Sequence, residues 1–142
     1  MTDQKNIVSI MIKQHRGLQA DLGEVAEVVQ AGQPSGEKIH ELLQKFTTDL
    51  TAHLSLENGT FYVQLLEKMK AKHQDTSKTE QFIAEMDAIG TAVKAFLSAY
   101  NTANSIADGI NEFKGALSDI VDTLNLRIES EESGVYAYWG LF

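Results

Sequence analysis

Residues 8–29 read VSIMIKQHRGLQADLGEVAEVV, and their apolar positions Val8, Met11, Leu18, Leu22, Val25 and Val29 keep to a rhythm of three and four. That rhythm lines one face of an α-helix turned toward a core. It predicts a first helix from about Asp3 to Ala31. The following stretch, Gly32-Gln33-Pro34-Ser35-Gly36, holds the only proline of the chain and two glycines, so it ends the helix in a tight connection. Short connections make antiparallel neighbours. Ile39, Leu43, Phe46, Leu50 and Phe61 mark a second helix that fades near Lys72-His73-Gln74-Asp75. Ser77-Lys78-Thr79-Glu80 has the form of a capping box, with a hydroxyl first and a carboxylate three residues on, and opens a third helix. Its seam reads Phe82, Met86, Ile89, Val93, Phe96 and Tyr100, and polar Asn101 to Ser105 close it. Ile110, Phe113, Leu117, Ile120, Leu124, Val135 and Tyr138 mark a fourth. No sustained period-two alternation competes. The expectation is an all-α chain, an antiparallel up-down-up-down four-helix bundle forming one domain over residues 1–142.

Composition narrows the function classes. At 142 residues, with 43% hydrophobic and 23% charged residues, the chain has the profile of one soluble globular domain. A net charge of −8 and the lack of any Lys/Arg cluster set nucleic acid and membrane surfaces aside as partners. The absence of cysteine excludes disulfides, thiolate ligands, iron–sulfur clusters and covalent haem attachment. Met1-Thr2-Asp3-Gln4-Lys5-Asn6 lacks the basic-then-apolar order of a signal peptide, and no apolar run reaches membrane-spanning length. A cytoplasmic location is expected.

The informative residues break the apolar pattern while staying in phase with it. His15 falls between Met11 and Leu18, and His53 and Glu57 follow Leu50 on the second seam. On the fourth helix the rhythm carries Leu124 to Arg127, Glu131 and Val135. All of these should face the core. His15 and His53 stand at matched distances on either side of the Gly32–Gly36 break, so they meet at one level of an antiparallel hairpin. Met86 and Arg127 are matched in the same way across the other connection, which reads as an internal helix-hairpin repeat. Two ionised carboxylates cannot be buried together without a partner, so something cationic must lie between Glu57 and Glu131. His40 and His73 fall off the seam and read as solvated surface residues. Tyr62 and Tyr136 follow the two carboxylates by the same step in each half and read as packing residues. The terminal Tyr136, Tyr138, Trp139 and Phe142 either cover the core or form an interface.

The chain resembles the hemerythrin-like family, cation-binding four-helix bundles with a histidine on the first helix and His-x-x-x-Glu on the second, repeated in the second hairpin. His15, His53 and Glu57 match the first half of that pattern, and Glu131 matches the carboxylate of the second. Met86 and Arg127 stand where the family carries the histidines of a second iron. The resemblance implies a metal site whose second half is degenerate.

Two physical readings remain open. In one, His15, His53, Glu57 and Glu131 hold one divalent metal, with iron, zinc or manganese all suited to two imidazoles and two carboxylates. Arg127 then takes the place of the missing metal, its planar fork donating to both carboxylates. In the other, no metal binds, and Arg127 with Glu57, Glu131 and one protonated histidine forms a neutral buried network in a binding or regulatory module. For intact members, the resemblance implies sensing, storage or binding of iron, dioxygen, nitric oxide or another small ligand. Diiron-type dioxygen binding draws electrons from two adjacent irons, so one metal is not expected to perform it. No general acid is evident, and no residue is assigned a catalytic role.

Overall fold

The computed structural model describes residues 2–31 and 35–141. The chain is all-helical, with no strand among the described residues. Helix α1 (Thr2–Gln30) packs on α2 (Gly36–Leu56), which runs through a π-helical turn (Glu57–Phe61) into α3 (Tyr62–Ala71). After a loop come α4 (Ser77–Ala99), the short α5 (Ala103–Asp108), α6 (Ile110–Ser133) and α7 (Val135–Trp139). Helix α6 packs on both α1 and α4, while α5 closes against α2. Gly36 explains how closely α5 can lie: a Cβ there would stand 2.5 Å from the Ala103 carbonyl oxygen. No helix among the described residues is long and apolar enough to cross a membrane. Pro34 and its neighbours Gly32 and Gln33, expected to form the first connection, lie outside the described residues, as does Phe142.

Three local departures from the sequence reading have physical causes. The second predicted helix is interrupted at Glu57 by the π turn. Its buried residues His53, Glu57, Phe61, Leu65 and Met69 follow one another in steps of four. Each such step drifts by about 40° around an α-helix, and the wider π turn takes up part of that drift. The capping box expected at Ser77 does not form: Thr76 precedes the helix, and the Asp75 carboxylate accepts from the Ser77 N–H at 2.9 Å. A capping box forms instead at Thr102 and Ser105, in the stretch expected to be only a helix end. Finally, Gly134 separates α7 from α6, so the fourth predicted helix ends before its last seam residues.

Among the described residues the apolar core falls into two clusters. Leu18, Leu22, Phe46, Phe113, Leu117 and Leu124 belong to one cluster. Met11, Phe61, Leu65, Val135, Tyr136 and Trp139 belong to the other. His15 lies on α1 between Met11 and Leu18, so a set of polar side chains is inserted between two dry layers. Burial on both sides is what makes their charges interact strongly.

Candidate metal centre

His15, His53, Glu57 and Glu131 each offer one donor atom, and these four atoms lie within 4.8 Å of one another. None of the four residues is more than 2% exposed. The structure therefore brings together, from α1, α2, the start of the π turn and α6, all four residues expected to share the core. The ring nitrogens His15 Nε2 and His53 Nε2 approach to 3.2 Å. His40 and His73 stay away from this group: His40 Nε2 meets the Asn101 carbonyl oxygen at 2.8 Å, and His73 is exposed on a turn with φ 57°.

Each histidine is oriented by a residue that periodicity did not single out. His15 Nδ1 lies 2.8 Å from Glu132 Oε2, and the Arg16 guanidinium also donates to that carboxylate. His53 Nδ1 lies 2.8 Å from Gln14 Oε1. A carboxylate and an amide oxygen only accept, so both rings carry their proton on Nδ1, and in the neutral rings both Nε2 lone pairs face inward. Two lone pairs aimed at each other across 3.2 Å repel unless a proton or a metal ion lies between them. Such outer acceptors are the usual way a protein fixes metal-binding imidazoles.

Arg127 spans the two buried carboxylates. Its Nη2 donates to Glu57 Oε1 at 2.9 Å, its Nε to Glu131 Oε2 at 3.2 Å, and its Nη1 to the Met86 carbonyl oxygen at 3.0 Å. Met86 thus serves Arg127 through its backbone while its side chain is buried. Nη1 lies close over Gly90, where a Cβ would stand 3.4 Å from it, at van der Waals contact.

The tyrosines are more than packing residues. The Tyr136 phenol donates to Glu57 Oε2 at 2.6 Å and its oxygen lies 3.1 Å from His15 Nε2, while the Tyr62 phenol donates to Glu131 Oε2 at 3.0 Å. Burial first, then the Glu131 and Glu57 charges, push both phenols far above their ordinary range, so both remain neutral donors. Tyr136 and Trp139 belong to the core, and Tyr138 is partly exposed.

The two carboxylates differ electrostatically. Burial pushes Glu57 up, but the approach of the His53 ring to 3.5 Å, joined by Glu131 and Arg127, outweighs it and brings the carboxyl down to about 2. Burial also pushes Glu131 up, and the Glu57 charge adds to it, so its carboxyl stays above the usual range despite His15 and Arg127. For Arg127, burial disfavours the charge, yet the Glu131 and Glu57 charges prevail and raise it. Glu131 Oε1 is buried without a hydrogen-bond partner among the described residues, although His15 Nε2 lies 3.1 Å away. A buried bare carboxylate oxygen is a costly feature, and it faces the side on which the imidazole lone pairs converge.

A helical core holding two oriented imidazoles and two carboxylates is a candidate site for a cation. The family model of the hemerythrin HHE cation binding domain matches residues 6–139, nearly the whole chain, and the chain belongs to that family. No curated protein and no solved structure matches it.

Proposed function

We propose that this chain is a one-domain cation-binding protein whose long helices form an antiparallel up-down-up-down bundle with an internal hairpin repeat. His15, His53, Glu57 and Glu131 form a site for one divalent metal, with iron the first choice and zinc or manganese compatible with the donors. The observation that carries this reading is the pair of Nε2 lone pairs converging at 3.2 Å, with both Nδ1 atoms held by acceptors. Arg127 replaces the second metal of intact family members. With a +2 ion, a +1 guanidinium and two carboxylates, the centre carries one positive charge that a small anion can balance. The bound ion would supply Lewis acidity and open coordination positions. The chain's residues would fix the imidazoles, exclude water and hold the carboxylates apart. This fits a sensing, storage or small-ligand-binding role in the cytoplasm, with dioxygen or nitric oxide among the ligands.

The second reading is a metal-free binding or regulatory module. It draws on Arg127, which already donates to both carboxylates. Elemental analysis of untagged protein separates the two. About one metal per chain is expected in the wild type and in His40→Ala, and almost none in His53→Ala. Equal metal content in the His40→Ala and His53→Ala proteins would remove the metal assignment. A wild type without metal after loading would favour the module.

A further inference from the structure

The four candidate ligands are not equally free to bind an ion, because their oxygens are engaged differently. Glu57 Oε1 accepts from Arg127 Nη2 at 2.9 Å, and Glu57 Oε2 accepts the Tyr136 phenol at 2.6 Å. Both oxygens of Glu57 are engaged. Its nearest imidazole nitrogen, His53 Nε2, is 3.5 Å from Oε2. On Glu131, by contrast, Arg127 Nε and the Tyr62 phenol converge on the same oxygen, Oε2, at 3.2 and 3.0 Å. Oε1 is left bare and lies 3.1 Å from His15 Nε2. Within this cluster the donors without a hydrogen already directed at them are His15 Nε2, His53 Nε2 and Glu131 Oε1.

We infer that the ion is held directly by His15, His53 and Glu131, a two-histidine, one-carboxylate set, and that Tyr136 together with Arg127 keeps Glu57 outside as a charge-balancing neighbour. This rests on the reading that a divalent metal binds in the cluster. Three protein donors leave several coordination positions open, the pattern associated with ferrous sites that admit a small exogenous ligand. Tyr136 is then a positioning residue: its hydrogen bond decides whether Glu57 reaches the ion. The near symmetry of the two carboxylates in sequence hides this difference, because it arises from which oxygen each phenol selects.

The test uses the untagged full chain and measures zinc affinity by competition with a chromophoric chelator in wild type, Glu57→Gln and Glu131→Gln. In Glu57→Gln the new side-chain carbonyl can still accept from Arg127, while the bond to Tyr136 reverses, the amide N–H donating to the phenol oxygen. Glu57→Gln should weaken zinc by no more than the roughly 10–100-fold of an outer-shell partner, and Glu131→Gln by at least about tenfold more than that variant. Equal losses, or a larger loss in Glu57→Gln, would overturn the inference. A second measurement is independent of whether either variant folds. Tyr136→Phe frees Glu57 Oε2, so the visible absorption of the cobalt(II)-loaded protein should weaken as the coordination number rises. An unchanged cobalt spectrum would also overturn the inference. A wild type that takes up neither zinc nor cobalt would instead remove the metal reading itself, which keeps the two failures distinct.

Discussion

The half of the site carried by α1 and α2 and the half carried by α4 and α6 bring opposite chemistry to the two buried glutamates. The first half presents His15 and His53, two groups with lone pairs to offer, His53 Nε2 lying 3.5 Å from Glu57 and His15 Nε2 3.1 Å from Glu131. The second presents Met86 and Arg127 beside Glu131, a thioether and a group that only donates hydrogens. A guanidinium can replace the charge of a metal ion but not its coordination, so the first half invites a cation and the second brings its own. The same fold position therefore serves either purpose, and the choice lies in two side chains.

The strongest way to break that comparison is to make the halves alike. Met86→His with Arg127→His supplies two imidazoles where the second half now has none, while the residue 86 carbonyl is unaffected. Iron loaded under reducing conditions and then exposed to air should rise from about one to about two ions per chain. A wild type already holding two ions would mean that Arg127 does not replace a metal. Next in size is Arg127→Ala in the metal-free protein, which strands Glu57 and Glu131 in the core without their shared cation. Removing one partner of a buried ion pair costs about 3–5 kcal/mol, read as a lower urea midpoint. A loss below about 1 kcal/mol would show that protons or water already carry the neutralisation.

Acid should weaken the first half while favouring the carboxyl of the second. The folded-state carboxyl of Glu57, at about 2, lies below its unfolded value of 4.5. Its contribution is therefore fully present above pH 4.5 and is lost as pH falls through 2. Glu131 has the opposite sign: its raised carboxyl favours folding below pH 4.5, and that advantage is lost as pH rises through its folded-state value. Urea midpoints of metal-free protein should fall between pH 4.5 and 2, by on the order of 3 kcal/mol from Glu57 alone. Glu57→Gln should flatten that slope. A slope as steep in the variant as in the wild type would assign the acid sensitivity elsewhere.

Much of this was legible in the sequence because a buried polar residue must keep the phase of its apolar neighbours. His15, His53, Glu57, Arg127 and Glu131 each occupy seam positions, and each is buried. Gln14 and Glu132 were missed for the same reason: each is one position off the seam, adjacent to a site residue, and reads as surface by periodicity. The signal available for them was chemical, since an imidazole that turns one nitrogen to a metal needs an acceptor for the other. The π turn had a signal too, in the steps of four from His53 to Met69. The choice each tyrosine makes between two carboxylate oxygens left no trace in residue spacing, because it is set by side-chain rotamers across the core. The expected Ser77 capping box had a local competitor: Asp75 takes the Ser77 N–H, and the Glu80 carboxylate accepts from the Thr76 hydroxyl instead.

The smallest expected difference lies between the two tyrosines, and it sharpens the comparison most. Tyr62→Phe and Tyr136→Phe each remove one hydroxyl while keeping a ring that packs on Phe61, at centroid distances of 5.5 and 5.1 Å. A hydrogen bond to a charged group contributes about 1.5–3 kcal/mol. In Tyr62→Phe the affected oxygen, Glu131 Oε2, keeps Arg127 Nε at 3.2 Å, so the loss in metal-free protein should sit at or below the low end of that range. In Tyr136→Phe the affected oxygen, Glu57 Oε2, has only His53 Nε2 at 3.5 Å as a nearby substitute. Its loss should lie toward about 3 kcal/mol. Urea titrations of both variants without metal, at a pH where both carboxylates are ionised, read the difference directly. Zinc should reverse the order of benefit: the freed Glu57 oxygen gives Tyr136→Phe an added donor, so saturating zinc should restore more stability to it than to Tyr62→Phe. Equal costs without zinc and equal recovery with it would mean that the two phenols do not distinguish the carboxylates, and that the two halves differ only at Met86 and Arg127.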